Sequence, residues 1–94
     1  MRLRWTPIAA GHLESVHEYI ARDNPSAADA TIERVLSAAE VLEQHPHLGR
    51  KGRVSRTREL VVTGTPLLMA YRVKADQIEI LSILHGARRW PERF

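Results

Sequence analysis

The hydrophobic period of this chain changes partway along it, and that change limits its fold more than any other feature. Ala9, Leu13, Val16 and Ile20 form one stripe of a 3.6-residue repeat, and Ala28, Ile32, Val35, Ala39 and Leu42 form a second. Beyond residue 57 the repeat drops to two, which predicts strands over 58–63, 67–73 and 78–84. Gly64-Thr65-Pro66 and Lys74-Ala75-Asp76-Gln77 supply the intervening turns, short enough to make neighbouring strands antiparallel. Each helix carries its own start signal, Thr6-Pro7 and Asn24-Pro25, an oxygen-bearing cap followed by a proline whose missing N–H costs nothing there. The link Arg22-Asp23 is so short that the two helices must fold back as an antiparallel hairpin.

Ahead of the hairpin, Arg2-Leu3-Arg4-Trp5 alternates strictly, as a short strand with one wet face does. Behind it, the second helix should stop near His45-Pro46, and 47–57 shows no period, only Gly49, Gly52 and several cations. That stretch is expected to be a mobile basic loop. The expected architecture is therefore α+β: an N-terminal strand, the helical hairpin, then a three-stranded antiparallel sheet whose last two strands are central and covered by the helices on one face.

At 94 residues the chain is expected to be one domain spanning 1–94. The longest apolar run, 67–71, is far below the roughly 18 residues a membrane span needs. The N-terminus shows no apolar signal core, so a cytoplasmic location is expected and no membrane partner. The absence of cysteine excludes disulfides, thiolate zinc sites and cysteine nucleophiles.

Charge is unevenly divided. Residues 1–49 hold four Arg against seven Asp and Glu, whereas residues 50–94 hold ten Lys and Arg against four Asp and Glu. Twelve of the fourteen cations are Arg, which suits planar, bidentate contact with phosphate or carboxylate. The five histidines do not have ligand spacing: His12 and His17 diverge by about 140° on a helix, and His45 and His47 flank Pro46 with no acidic residue beside them. Neither a metal nor another cofactor is expected.

Two groups of residues remain as functional candidates. Arg58, Arg72, His85, Arg88, Arg89 and Trp90 lie on or beyond the strands, where ends of an antiparallel sheet could converge on one electropositive target-binding patch. Ile8, His12 and Tyr19 sit about 80 to 100° off the core stripe of the first helix, and Val41 lies almost opposite that of the second. These four are expected to be covered by another chain.

Particular segments carry a likeness. Asn24-Pro25-Ser26-Ala27-Ala28, Glu43-Gln44-His45-Pro46-His47-Leu48-Gly49-Arg50, Arg58-Glu59-Leu60-Val61 and Tyr71-Arg72-Val73 resemble recurrent segments of the RelE/ParE superfamily of bacterial toxins. The run from Ile78-Glu79-Ile80-Leu81-Ser82-Ile83 through Leu84-His85-Gly86-Ala87-Arg88-Arg89 is similar to the ending usual on the ParE side. The resemblance covers essentially the whole chain. It implies a type II toxin neutralised in a hetero-oligomer by a cognate antitoxin, which would mask Ile8, His12, Tyr19 and Val41. RelE-like members cut messenger RNA on the ribosome; several ParE-like members inhibit DNA gyrase. Cleavage through 2'-OH attack needs groups to take and supply protons beside phosphate-binding cations. His85 is the candidate proton-transfer residue, with Arg58 or Arg72 on the phosphate. However, Leu68 stands where many RelE-like nucleases carry an Arg, no Tyr follows His85, and Tyr71 reads as core. A non-enzymatic gyrase inhibitor is therefore the favoured expectation, an mRNA endonuclease the alternative, and a plain nucleic-acid-binding module the lesser one, since both helices lean acidic.

Overall fold

The computed structural model describes residues 1–86, 91, 93 and 94. The elements run β1 (Arg2–Trp5), α1 (Pro7–Ala21), α2 (Pro25–Gln44), β2 (Arg50–Lys51), β3 (Arg58–Val61), β4 (Leu67–Lys74) and β5 (Gln77–His85). All five strands join one sheet in the order β1-β5-β4-β3-β2. β2, β3, β4 and β5 pair antiparallel with their neighbours, and β1 lies parallel to β5 with Leu3 opposite Ile78 and Trp5 opposite Ile80. The three expected strands are present, and the sheet is wider than expected by one strand at each edge.

Both helices begin as their caps dictate. The Thr6 hydroxyl oxygen accepts from the Ala9 N–H at 3.2 Å, and Asn24 Oδ1 accepts from the Ala27 N–H at 3.1 Å. The hairpin covers one face of the sheet, where Ala9, Val35, Ala39 and Leu42 meet Met69, Tyr71, Ile78, Ile80 and Ile83 in a dry core. Met69, Tyr71, Ile78 and Ile80 are fully buried, each contributing roughly 1.5–3 kcal/mol by leaving water. β5 looks almost uniformly apolar in sequence because it is bulged. The register slips between Ala70 and Tyr71, so Leu81 is the extra residue, and the inward positions run Ile78, Ile80, Ile83 rather than strictly alternating.

β1 is short, and where it ends α1 takes over the outer edge of β5. The Thr6 N–H and hydroxyl donate to the Ile80 carbonyl at 3.1 and 2.8 Å. Farther along, the Ile83 N–H reaches His12 Nδ1 at 3.3 Å, and the Ser82 hydroxyl lies 3.0 Å from the same nitrogen. This corrects the expectation for His12. Its ring is turned toward the sheet and occupied, because an unpaired N–H at the edge of a buried strand needs an acceptor.

The segment expected to be a mobile loop is instead tied down. Its residues Arg50–Lys51 form β2, with Arg50 opposite Glu59. The Gly52 N–H donates to the Thr57 carbonyl at 2.8 Å, and the Thr57 hydroxyl donates to the Val54 carbonyl at 2.7 Å. Upstream, the buried Tyr71 hydroxyl donates to the Pro46 carbonyl at 2.8 Å and accepts from the Gly49 N–H at 2.9 Å. Gly49 is required there, since a Cβ would lie 2.8 Å from both the Tyr71 ring and its oxygen.

Candidate functional site

Alternation along paired strands sorts the cations into two faces. Opposite the helices, β1 presents Arg2 and Arg4, β5 presents Gln77 and Glu79, β4 presents Arg72 and Lys74, and β3 presents Glu59. On this helix-free face two buried carboxylates each hold two arginines. Glu79, with a side chain only 7% exposed, accepts from Arg72 Nε at 2.6 Å and from Arg4 at 2.8 Å. Glu59, 2% exposed, accepts from Arg50 at 3.1 Å, from Arg53 Nε at 3.2 Å and from the Arg53 backbone N–H at 2.8 Å. All four arginine side chains remain about half exposed.

These contacts set the titration of both acids. The hydrogen bond from Arg72 is the largest influence on Glu79 and holds its carboxyl below the ordinary 4.5. For Glu59 burial is the largest influence and acts upward. The bonds from the Arg53 backbone, the Arg53 side chain and Arg50 together outweigh it, so this carboxyl too lies below 4.5. The Tyr71 hydroxyl is pushed above 10.0 by burial, with the Gly49 N–H and the Arg58 charge acting in the opposite sense.

The convergence expected of Arg58, Arg72 and His85 does not occur. Arg58 is opposite Tyr71 and so shares the helix-side face, where its guanidinium donates to the Gly49 carbonyl at 2.8 Å and secures the 46–49 connection. Arg72 points to the other face. His85 pairs with Leu67, at the far end of β4 from Arg72, five residues or roughly 16 Å along the strand. Arg88, Arg89 and Trp90 lie outside the described residues. The sequence reading missed Arg4, Glu59 and Glu79. One signal was available: Glu79 interrupts Ile78 and Ile80 in an apolar strand, and a carboxylate buried there requires a cation. Which cation could not be read, because the parallel pairing of β1 with β5 joins residues 75 positions apart.

Of the four residues expected to be left over by the core, three are. Ile8 is 67%, Tyr19 72% and Val41 44% exposed. Ile8 and Tyr19 are eleven residues apart, about three helical turns, and so form one ridge on α1. Val41 instead lines a groove of about 580 Å³ between α2 and β3, with Leu48, Leu60 and Val61. A larger groove of about 950 Å³ runs over the hairpin, lined by Trp5, Leu13, Ile32 and Leu36 and edged by Glu14 and Glu18. Among the described residues no three His, Asp or Glu side chains gather in a way that could hold a metal, and no helix is long and apolar enough to cross a membrane.

A small α+β domain, with a helical hairpin on one face of a five-stranded sheet and clamped arginines on the other, is the class these observations define. The family model described as the ParE toxin of the type II toxin-antitoxin system parDE matches residues 3–90. Y4kP of Sinorhizobium fredii is 38% identical over 91 residues, covering 97% of this chain and 94% of its own. Toxin RelE3 of Caulobacter vibrioides is 36% identical over 85 residues, covering 88% of this chain and 91% of its own. Among solved structures, a chain of the chromosomal ParDE toxin-antitoxin system from P. aeruginosa superposes with a TM-score of 0.80 at 29% identity, covering 88% of this chain and 92% of that one. The chain belongs to the ParE toxin family of type II toxin-antitoxin systems, within the RelE/ParE superfamily, and its partner is a cognate antitoxin.

Proposed function

We propose that this toxin acts in the cytoplasm by docking on an essential protein, DNA gyrase, rather than by cutting RNA. The observation that carries this reading is the separation of the arginines from proton-transfer groups. On the helix-free face each of Arg4, Arg50, Arg53 and Arg72 is paired with a buried carboxylate. A carboxylate held below its ordinary range by two guanidinium groups is a poor general base at neutral pH. His85 stands at the other end of the sheet, and the Tyr71 hydroxyl is occupied by Pro46 and Gly49. Among the described residues, a surface of oriented arginines set apart from His85 and from the Tyr71 hydroxyl suits binding better than phosphodiester cleavage. Arg72 contributes to it; Arg88, Arg89 and Trp90 are proposed as target-binding residues from the sequence and lie outside the described residues.

The antitoxin covers Ile8 and Tyr19 on α1 and Val41 in the α2–β3 groove in this reading, a path that crosses the helical layer. The competing reading, a ribosome-dependent mRNA endonuclease with His85 in proton transfer, draws on the relatives named RelE2 and RelE3. Purified toxin assayed for inhibition of gyrase supercoiling and for cleavage of ribosome-bound transcripts separates the two. Inhibited supercoiling with intact transcripts is expected; cut transcripts with unimpeded supercoiling would refute the proposal. Replacing both Arg88 and Arg89 by Ala should weaken growth arrest while leaving antitoxin binding nearly intact.

A further inference from the structure

The Arg4–Glu79–Arg72 cluster is more ordered than surface charge requires. Three strands contribute one residue each, and the backbones that carry the two arginines lie about 10 Å apart on either side of that of Glu79. Each gives one hydrogen bond to the carboxylate, of the five donors a guanidinium carries, and each stays about half exposed. Burying an acid between two cations is a weak means of stabilising a fold, since desolvation cancels much of the attraction. What the arrangement achieves is orientation. Each guanidinium is tethered to Glu79 through one nitrogen, while about half of each arginine side chain stays in solvent.

We propose that Glu79 is a positioning residue, holding Arg4 and Arg72 as a preformed pair that receives carboxylates from an acidic segment of a protein partner. This rests on the reading that the helix-free face meets a protein target, but not on which protein that is. The pair already binds one carboxylate, that of Glu79 itself, so the geometry suits this ligand chemistry. A nucleic-acid strand is disfavoured because the aromatic residues of β1 and β4, Trp5 and Tyr71, both lie on the helix side, leaving these strands nothing on which bases could stack.

Positioning and simple attraction predict opposite signs for Glu79→Gln. The substitution removes a negative charge, so a merely electropositive patch would bind anions more tightly. A patch that depends on fixed arginines would bind them less. The experiment titrates a hexaglutamate peptide, and separately an oligothymidylate of equal charge, into the wild-type toxin and its variants at low salt. Each variant is first checked for a native circular dichroism spectrum. Glu18→Gln on α1 makes the same change in net charge away from the face and sets the electrostatic baseline. The expected result is that E79Q weakens hexaglutamate binding about fivefold relative to E18Q, and that R72K and R4K, which keep the charge and lose the planar fork, weaken it at least about threefold. Should E79Q fail to fold, the two lysine variants decide alone. Tighter binding by E79Q, wild-type affinity in the lysine variants, or stronger binding of the oligothymidylate than of the peptide would each overturn the proposal.

Discussion

Tyr71→Phe removes one oxygen from the fully buried side chain that joins the sheet to the connection after α2. The ring and its packing are kept, so the cost should come from the two groups left behind. The Gly49 N–H is buried and donates to the Tyr71 oxygen, so stranding it costs about 1–3 kcal/mol. The Pro46 carbonyl is half-buried and recovers part of its loss from water, costing roughly 0.5–1.5 kcal/mol. Together these predict a loss of about 1.5–4.5 kcal/mol in urea unfolding at unchanged slope, or a fall in Tm of roughly 6–36 °C for a domain of this size. Amide exchange adds a local readout. The Gly49 N–H should be protected in the wild type and exchange much faster in the variant, ahead of the β4 and β5 amides. A stability loss below about 0.5 kcal/mol with Gly49 still protected would mean that the hydroxyl does not anchor this segment.

Ala75 holds φ 52° in the β4–β5 turn, a region that favours glycine, so Ala75→Gly should stabilise the toxin by up to about 1 kcal/mol in the same unfolding assay. Thr6→Ala deletes a helix cap and a bond to the Ile80 carbonyl at once, and a loss of about 1–2 kcal/mol is expected in thermal melts. Because Glu59 and Glu79 titrate below 4.5 when folded, their stabilisation is full above the unfolded value and declines as pH falls through it toward the lower folded values. Stability measured from pH 6 down to pH 2 should therefore drop below about 4.5, and the drop should be shallower in E59Q and E79Q.

The helices were legible because their signals are local: Thr6-Pro7 and Asn24-Pro25 fix the starts, and an apolar stripe fixes the buried side. The strand pair β4–β5 was legible for the same reason, a short turn between two periodic runs. What could not be read was non-local. Pairing of β1 with β5 depends on the crossover, and the order of the 46–57 segment depends on Tyr71, Glu59 and Arg58 arriving from strands later in the chain. The expected convergence of Arg58 with Arg72 fails for a related reason. Arg58 and Arg72 are both cations on strands, but opposite registers send them to opposite faces, and register is set by pairing rather than by composition. The exposed positions Ile8, Tyr19 and Val41 were predictable from helical angle alone, whereas the edge of β5 that engages His12 was not.

The side-by-side placement of the first strand and the last imposes a timetable on synthesis. Residues 2–5 leave the ribosome long before the strand beside which they lie, 75 positions later in the chain. Until then the nascent polypeptide can assemble its helical pair but not the platform beneath it, so a product truncated before residue 77 lacks Glu79 and leaves Arg4 with nothing to grip. A toxin built this way can neither close its sheet nor clamp Arg4 until β5 has been made.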